Sequence, residues 1–190
     1  MTPSEPGLGE KVVALAYALE SGDVPFAFGG ALALAYYGES RATVDVDINV
    51  FVAPDAVDRV AESLGPLGIG TSAADRRLVR LDGRARLHWG ATPVDLFFAY
   101  DAFHFHAAQR IRPVPFGTET IVVLAPEDLL VCKVVFNRRK DWIDIEQMLL
   151  LNAGTLDLDD VRRWVVAIVG GDDDRVQRFE RAVREVLGDQ

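Results

Sequence analysis

The sequence has 190 residues, of which 49% are hydrophobic and 26% are charged, so it carries enough apolar material for the core of one globular domain. The 16 glycines and 9 prolines exclude collagen-like and low-complexity classes, and the single cysteine, Cys132, excludes a disulfide framework. No apolar run reaches about 18 residues, and the N-terminal segment is acidic, unlike a signal peptide. We therefore expect a cytoplasmic protein with no membrane segment.

The charge is unevenly distributed along the chain. The formal net charge is −9 and the isoelectric point is near 4.8, so a general attraction to nucleic acid is not expected. The sign reverses between residues 75 and 88, where five arginines stand against two aspartates. This basic segment could hold a polyanionic partner, or it could be a solvated face of the protein. Its arginines are Arg76, Arg77, Arg80, Arg84 and Arg86.

The first third of the chain alternates between helical and strand periodicity. The stretch 43–52 is β-branched and alternating, which is typical of a half-buried strand, and its polar face carries Asp45 and Asp47. Gly29 and Gly30 separate a short buried strand from an apolar helix. We predict helices at 11–20, 31–37 and 54–64, and strands at 25–28 and 43–52.

The middle third is predicted to be mainly strands. The pair Asp82-Gly83 is typical of a tight turn and predicts a β-hairpin over 78–89. Pairing across this turn would bring four basic side chains to one face: Arg77, Arg84, Arg86 and His88. A following strand, 94–99, carries Asp95, and a further strand is predicted at 121–124.

The last third is predicted to be helical, with helices at 127–137, 141–151, 158–168 and 173–187. Strands and helices mix in the first two-thirds, so we predict an α/β or α+β fold rather than a parallel βαβ series. The expected division is a core over residues 1–125 and a helical part over 126–190, packed together as a single compact unit.

Two carboxylates, Asp45 and Asp47, lie two residues apart on the predicted strand and therefore point the same way. Like charges this close disfavour ionisation unless a cation lies between them, and a hard divalent ion suits an all-oxygen ligand set. Asp95, on a neighbouring strand, could complete the set. Because no His or Cys lies nearby in sequence, the pattern predicts Mg²⁺ rather than zinc.

A pair of glycines and a lysine point to phosphate binding. Gly29 and Gly30, at a strand-to-helix junction, let backbone N–H groups approach phosphate oxygens. A phosphate cradle together with Mg²⁺ carboxylates is typical of phosphoryl or nucleotidyl transfer. Lys133 lies in an apolar helix, where it must find a partner, lose its charge or extend to the surface.

These residues resemble a known family. Phe28-Gly29-Gly30, followed by Arg41-x-Thr43-x-Asp45-Val46-Asp47, is similar to motif I of the minimal nucleotidyltransferase superfamily. Residues 126–133, followed by Arg138-Arg139 and Asp141-Trp142-Ile143-Asp144, resemble the AbiEii-like branch, which includes toxins of type IV toxin–antitoxin systems. The resemblance runs from about residue 24 to residue 150.

The resemblance implies a nucleotidyltransferase fold, with a mixed, mainly antiparallel twisted sheet flanked by helices and a helical C-terminal part. It assigns Asp45, Asp47 and Asp95 to Mg²⁺, with Asp95 also activating the attacking hydroxyl. The implied nucleotide-binding residues are Gly29, Gly30, Arg41, Thr43 and Lys133, and the implied catalytic residues are Asp45, Asp47, Asp95, Lys133 and Asp141. Either Asp141 or Asp144 matches the last acidic position, and Ala31 stands where the superfamily often has serine.

The implied reaction transfers a nucleoside monophosphate from an NTP to an acceptor hydroxyl. The implied acceptor is the 3′ end of tRNA, which would make the protein a growth-inhibiting toxin with a cognate antitoxin. The implied RNA contacts are Arg77, Arg84 and Arg86. Two alternatives stay open: a small-molecule acceptor such as an aminoglycoside-like antibiotic, which the acidic composition favours, and a catalytically inactive binding module of the same fold. The sequence does not indicate which NTP is used.

Overall fold

The computed structural model describes residues 5–39 and 41–188, which form two compact units. The first unit comprises the residues up to Gly29 together with Ala42–Val123, and the second comprises Gly30–Arg41 together with the residues from Leu124 onward. Compactness alone does not define domains, so the boundary expected at residue 125 stays a prediction. No helix in the described residues is long and apolar enough to cross a membrane.

Six strands of the first unit form one sheet. They are β1 (Phe26–Phe28), β2 (Val46–Val50), β3 (Arg84–Trp89), β4 (Thr92–Phe98), β5 (Arg112–Phe116) and β6 (Glu119–Val123). Their order across the sheet is β3-β4-β2-β1-β6-β5. The pairs β1–β2, β3–β4 and β5–β6 are antiparallel, whereas β2–β4 and β1–β6 are parallel. The expectation of a mixed, mainly antiparallel sheet is confirmed.

Helices make up most of the remaining described chain. In chain order they are α1 (Leu8–Ser21), α2 (Gly30–Leu34), α3 (Val57–Leu64), α4 (Ala73–Asp82), α5 (Ala102–Ala108), α6 (Pro126–Phe136), α7 (Arg139–Leu151), α8 (Leu158–Val169) and α9 (Asp174–Leu187). Short 3₁₀ helices at Pro54–Ala56 and Gly65–Leu67 flank α3. The second unit contains α2 and α6 to α9.

The core of the first unit lies on its central strands. Phe28 of β1, Ile48 of β2 and Phe98 of β4 are fully buried, and burying each such side chain contributes roughly 1.5–3 kcal/mol. Leu15 and Leu19 of α1, four residues apart, are also fully buried, as expected for the inner face of an amphipathic helix. The strands that carry Asp47 and Asp95 therefore also contribute fully buried side chains to the core.

The second unit is a small helical assembly, as the last third of the sequence predicts. Pro126 begins α6, where its missing N–H costs no helical hydrogen bond, and Asn137 ends it in a left-handed conformation (φ +55°). The Asn137 side chain accepts a hydrogen bond from Trp142 Nε1 (2.7 Å), which fixes the turn into α7. Arg175, at the start of α9, donates to the main-chain oxygen of Val135 (2.9 Å).

The hairpin predicted around Asp82-Gly83 is wrong. Residues 73–82 form helix α4, whose N-terminus is closed by a capping box in which Ser72 and Asp75 bond each other's backbone N–H. Gly83 (φ +67°) ends the helix, because a left-handed glycine suits a helix C-terminus as well as a tight turn. The real hairpin joins β3 to β4 through the two-residue turn Gly90–Ala91, with Gly90 at φ +57°.

This correction moves one arginine away from the others. Arg77 lies on α4, so the common face predicted for Arg77, Arg84 and Arg86 is wrong for Arg77. Arg84, Arg86 and His88 do alternate with buried residues along β3 and share its exposed face.

Several other elements differ from expectation. Helix α2 has five residues rather than seven, and β2 begins at Val46, so that Val44 is exposed rather than buried. Helix α5 and strand β5 were not predicted. The prolines Pro113 and Pro115 concealed β5, and the structure accommodates them because β5 is an edge strand.

Candidate active site

The three predicted metal carboxylates all lie in the first unit, and the register of the sheet brings two of them side by side. Asp47 of β2 and Asp95 of β4 are direct partners in the parallel pairing of the two strands. Side chains of directly paired residues lie on the same face with Cβ atoms roughly 5 Å apart. Asp45 precedes Asp47 by two residues, and all three side chains are half-buried. The sheet thus brings Asp47, near the start of β2, beside Asp95 in the middle of β4, with Asp45 just before β2.

A cation from the third strand lies in this cluster. Arg86 of β3 is the direct partner of Asp95 in the antiparallel pairing. Its Nε donates to Asp95 Oδ1 (2.7 Å), its second donor nitrogen lies 2.6 Å from Asp95 Oδ2, and the same nitrogen lies 3.9 Å from Asp45 Oδ2. The hydrogen bonds and charge of Asp95 raise the pKa of Arg86, and the charges of Asp45 and Asp47 raise it further. One guanidinium therefore interacts with all three carboxylates.

Hydrogen bonds from Thr43 and Gly29 hold the start of β2 in place. The Thr43 hydroxyl hydrogen-bonds the Asp45 side chain and donates to the main-chain oxygen of Asp45 (3.2 Å). The N–H of Gly29 donates to the main-chain oxygen of Asp47 (2.9 Å), continuing the β1–β2 ladder by one residue. Of the residues predicted to bind nucleotide, Thr43 and Gly29 thus both bond to the carboxylate-bearing segment.

The glycine pair begins a shorter helix than the predicted phosphate cradle requires. Gly30 has φ +52°, which glycine adopts without strain, and it begins α2. Because α2 has only five residues, its contribution to an N-terminal partial charge is smaller than expected for a full helix.

The second unit contains a buried ion pair around Lys133. Lys133 Nζ lies 2.6 Å from Asp144 Oδ2, and both side chains are only 4% exposed. A guanidinium nitrogen of Arg41 lies 3.5 Å from the same carboxylate oxygen. Lys133 therefore meets its predicted need for a partner, which lies 11 residues further along the chain on the next helix, α7.

Asp141 has a different partner. Its fully buried carboxylate accepts hydrogen bonds from the Arg138 side chain (2.7 and 3.1 Å) and from the Arg138 backbone N–H (3.1 Å). These bonds close the N-terminus of α7. Of the two acidic candidates on this helix, Asp144 pairs with Lys133 and Asp141 pairs with Arg138.

Comparison with known proteins agrees with this geometry. The sequence matches, over residues 26–187, the family described as nucleotidyltransferase of unknown function (DUF6036). The chain belongs to this family. No curated protein matches the sequence.

Solved structures similar to this DUF6036 nucleotidyltransferase share its fold. The solution structure of antibiotic-resistance factor ANT(2″)-Ia has a TM-score of 0.56 at 14% identity, covering 93% of this chain and 91% of that chain. The crystal structure of ANT(2″)-Ia in complex with adenylyl-2″-tobramycin has a TM-score of 0.55 at 13% identity, covering 93% and 97%. An antigenic nucleotidyltransferase-like protein from Paracoccidioides brasiliensis has a TM-score of 0.50 at 18% identity, covering 93% and 94%. The predicted nucleotidyltransferase fold is confirmed.

The carboxylates of this DUF6036 nucleotidyltransferase fit a hard divalent cation. The donors are all carboxylate oxygens, which Mg²⁺ prefers, and the half-buried side chains leave room for the water ligands it retains. The guanidinium of Arg86 already provides a positive charge here, at 2.6 Å from Asp95 and 3.9 Å from Asp45. The donor types therefore suit the metal that the family implies, and the three carboxylates would have to close around it, because their oxygens do not all lie within 4.8 Å of one another.

The sequence analysis missed the pairing of Arg86 with Asp95. In a hairpin, residues at equal distances before and after the turn are paired. A two-residue turn at Gly90–Ala91 therefore places Arg86 opposite Asp95. Gly90 was the available signal, but Asp82-Gly83 matched the expected turn dipeptide better. The link from Lys133 to Asp144 had no local signal, because it depends on how two helices pack.

Proposed function

We propose that the chain transfers a nucleoside monophosphate from an NTP to an acceptor hydroxyl with the help of Mg²⁺. The observation that carries this proposal is the register that sets Asp47 beside Asp95, together with the guanidinium of Arg86 that contacts both Asp95 and Asp45. Three carboxylates held together cost electrostatic energy unless a cation is bound, and a polyphosphate substrate brings such cations with it. An inactive module of the same fold would need only one carboxylate to pair with Arg86 and would have no chemical use for the other two.

Each carboxylate has a proposed task in the reaction. Asp45, Asp47 and Asp95 would hold the metal, which when bound neutralises charge on the phosphate oxygens and favours the acceptor alkoxide. The acceptor oxygen attacks the α-phosphorus, and the bond from that phosphorus to the bridging oxygen breaks, so that pyrophosphate leaves with the electron pair. The acceptor proton passes to a carboxylate oxygen of Asp95.

We propose fewer direct contacts with the nucleotide than the family resemblance implies. The N–H of Gly29 is engaged by Asp47, so we assign a backbone contact with phosphate to Gly30 alone. Thr43 acts through Asp45, which its hydroxyl orients. The roles in binding the triphosphate that the resemblance gives to Lys133 and Arg41 stay predictions.

The acceptor that we propose is the 3′ end of tRNA, as in the AbiEii-like toxins that the sequence resembles. The chain would then act in the cytoplasm as a growth-inhibiting toxin, restrained by a cognate antitoxin. Arg77 and Arg84 are exposed and can contact RNA phosphates, which are bound by charge rather than by sequence. Arg86 can join them only when it releases Asp95.

A cationic small molecule is the second candidate acceptor. The net charge of −9 favours a basic antibiotic over a polyanion. Structures of ANT(2″)-Ia, one of them in complex with adenylyl-2″-tobramycin, share the fold. Modification of an aminoglycoside hydroxyl would use the same carboxylates and would need no basic face.

One labelling experiment separates the two acceptors. The purified chain is incubated with Mg²⁺ and each α-³²P-labelled NTP in turn, with total tRNA in one series and a panel of aminoglycosides in the other. We expect label on tRNA, with a yield that falls steeply as salt is raised from 50 to about 200 mM, because phosphate contacts release counterions. Arg84→Gln should weaken tRNA labelling and reduce its salt dependence.

The matched control is Arg112→Gln, which removes an exposed arginine from β5, at the opposite edge of the sheet. This variant should label tRNA as the wild type does. Label on the aminoglycosides alone would replace the tRNA proposal by the small-molecule one.

A further inference from the structure

The guanidinium of Arg86 occupies both oxygens of Asp95. The two hydrogen bonds, 2.7 and 2.6 Å, have the short lengths of charge-assisted bonds and form the two-pronged arrangement that arginine makes with carboxylates. A metal ion coordinated by Asp95 needs at least one of the same oxygens. Each oxygen has a second lone pair, but the positive charge of the guanidinium repels a metal ion at that distance, so Arg86 and the metal oppose each other at Asp95.

The backbone imposes this contact. The two-residue turn at Gly90–Ala91 fixes the register of β3 on β4, and that register sets Arg86 directly opposite Asp95. The same guanidinium reaches to 3.9 Å from Asp45. An arginine stays charged at all accessible pH values, so this cation cannot be removed by deprotonation.

Arg86 is much more exposed than Asp95, so the arginine side chain can leave the carboxylate. The Asp95 side chain is 15% exposed, whereas the Arg86 side chain is 57% exposed. The arginine can thus rotate into solvent without opening the core of the sheet. The carboxylate stays where the strand holds it.

We propose that Arg86 is a built-in counter-cation of the carboxylate site, which holds Asp95 until a metal ion displaces it and which thereby lowers the affinity of the site for the metal. The proposal rests on the proposed function, because it takes Asp45, Asp47 and Asp95 to be the metal ligands. Arg86 is then a positioning residue: it keeps Asp95 oriented in the absence of metal, and it sets the metal concentration at which the site fills.

The test is a Mn²⁺ titration of the full chain without nucleotide, followed by the electron paramagnetic resonance signal of free Mn²⁺ at 0.15 M salt. Arg86→Gln should bind Mn²⁺ about tenfold more tightly than the wild type, because one positive charge no longer opposes the ion across a few ångströms. Arg86→Lys keeps the charge and loses the two-pronged geometry, so its affinity for Mn²⁺ should lie between those of the wild type and Arg86→Gln.

Arg84→Gln is the matched control. It removes the same charge from the same face of β3, roughly 7 Å further along the strand and opposite Phe97 rather than a carboxylate. Screening should limit its effect to less than about threefold. Circular dichroism checks that each variant is folded, and if Arg86→Gln fails to fold, Arg86→Lys carries the comparison.

The outcomes separate this proposal from the proposed function. If Arg86→Gln binds Mn²⁺ no more tightly than Arg84→Gln while Asp47→Asn abolishes binding, the carboxylates hold a metal but Arg86 does not compete with it. Weaker binding by Arg86→Gln would likewise overturn the proposal. If Asp47→Asn leaves Mn²⁺ binding unchanged, the metal site itself is wrong and the proposed function fails with it.

Discussion

Replacing Asp47 with asparagine should lower the rate of nucleotidyl transfer by about 1,000-fold, which corresponds to roughly 4 kcal/mol of lost transition-state stabilisation. Asparagine keeps the shape of the side chain on β2 and its place beside Asp95, but it removes the negative charge that binds the metal. The measurement is the initial rate of α-³²P transfer under saturating NTP. The melting temperature should not fall, because the substitution relieves repulsion among the carboxylates.

The control for this prediction is Asp82→Asn. Asp82 is an exposed carboxylate at the end of α4, so the substitution removes one negative charge from the same unit without touching the cluster. Its transfer rate should stay within about twofold of the wild type, as expected for a screened surface charge. Equal losses of transfer rate in the two variants would show that Asp47 acts only through the net charge of the protein and not as a metal ligand.

Breaking the Lys133–Asp144 pair should have the largest effect on stability. Asp144→Ala should lower the free energy of unfolding by about 3–5 kcal/mol, because it leaves a buried lysine beside Arg41 without its counter-charge. Lys133→Met should cost less, since Arg41 still neutralises Asp144. In the double variant Lys133→Met/Asp144→Ala, both charges are replaced by apolar groups, and much of the loss should be recovered.

Urea unfolding of the four proteins, followed by the fluorescence of the buried Trp142 on α7, gives the coupling energy of the pair. Asp159→Ala is the matched control, because it breaks an ion pair with Arg162 in the same unit at a side chain that is 92% exposed. That variant should cost less than about 1 kcal/mol. If Asp144→Ala costs no more than Asp159→Ala, the buried pair does not stabilise the second unit.

The parts of the fold that were predictable from sequence follow from local periodicity. Strand β2 was predictable because its alternation is strict, and so were helices α6 to α9, because their apolar spacing and their end signals agree. Asp45 and Asp47 could be placed on one side because a strand has a period of two. The pairing of Asp47 with Asp95 could only be guessed, since the register of a parallel pair is a property of the whole sheet.

The hairpin error arises because one dipeptide suits two structures. Asp82-Gly83 fits a hairpin turn, but it also fits a helix end, and the capping residues Ser72 and Asp75, at the other end of α4, decide for the helix. That single choice hid the pairing of Arg86 with Asp95. Local rules could not decide which of Asp141 and Asp144 pairs with Lys133. Both are buried acidic residues on one helix, and they differ in which cation packs against them.

We propose that this member of the DUF6036 family moves the α-phosphate with its nucleoside and releases pyrophosphate. Parallel reactions with α-³²P-labelled and γ-³²P-labelled NTP test it most directly, with Mg²⁺, total tRNA and the aminoglycoside panel all present as acceptors. The account predicts that only the α label becomes attached to an acceptor, that one pyrophosphate appears for each label attached, and that Asp47→Asn prevents both. Attachment of the γ label, or of neither label under any NTP, would contradict it.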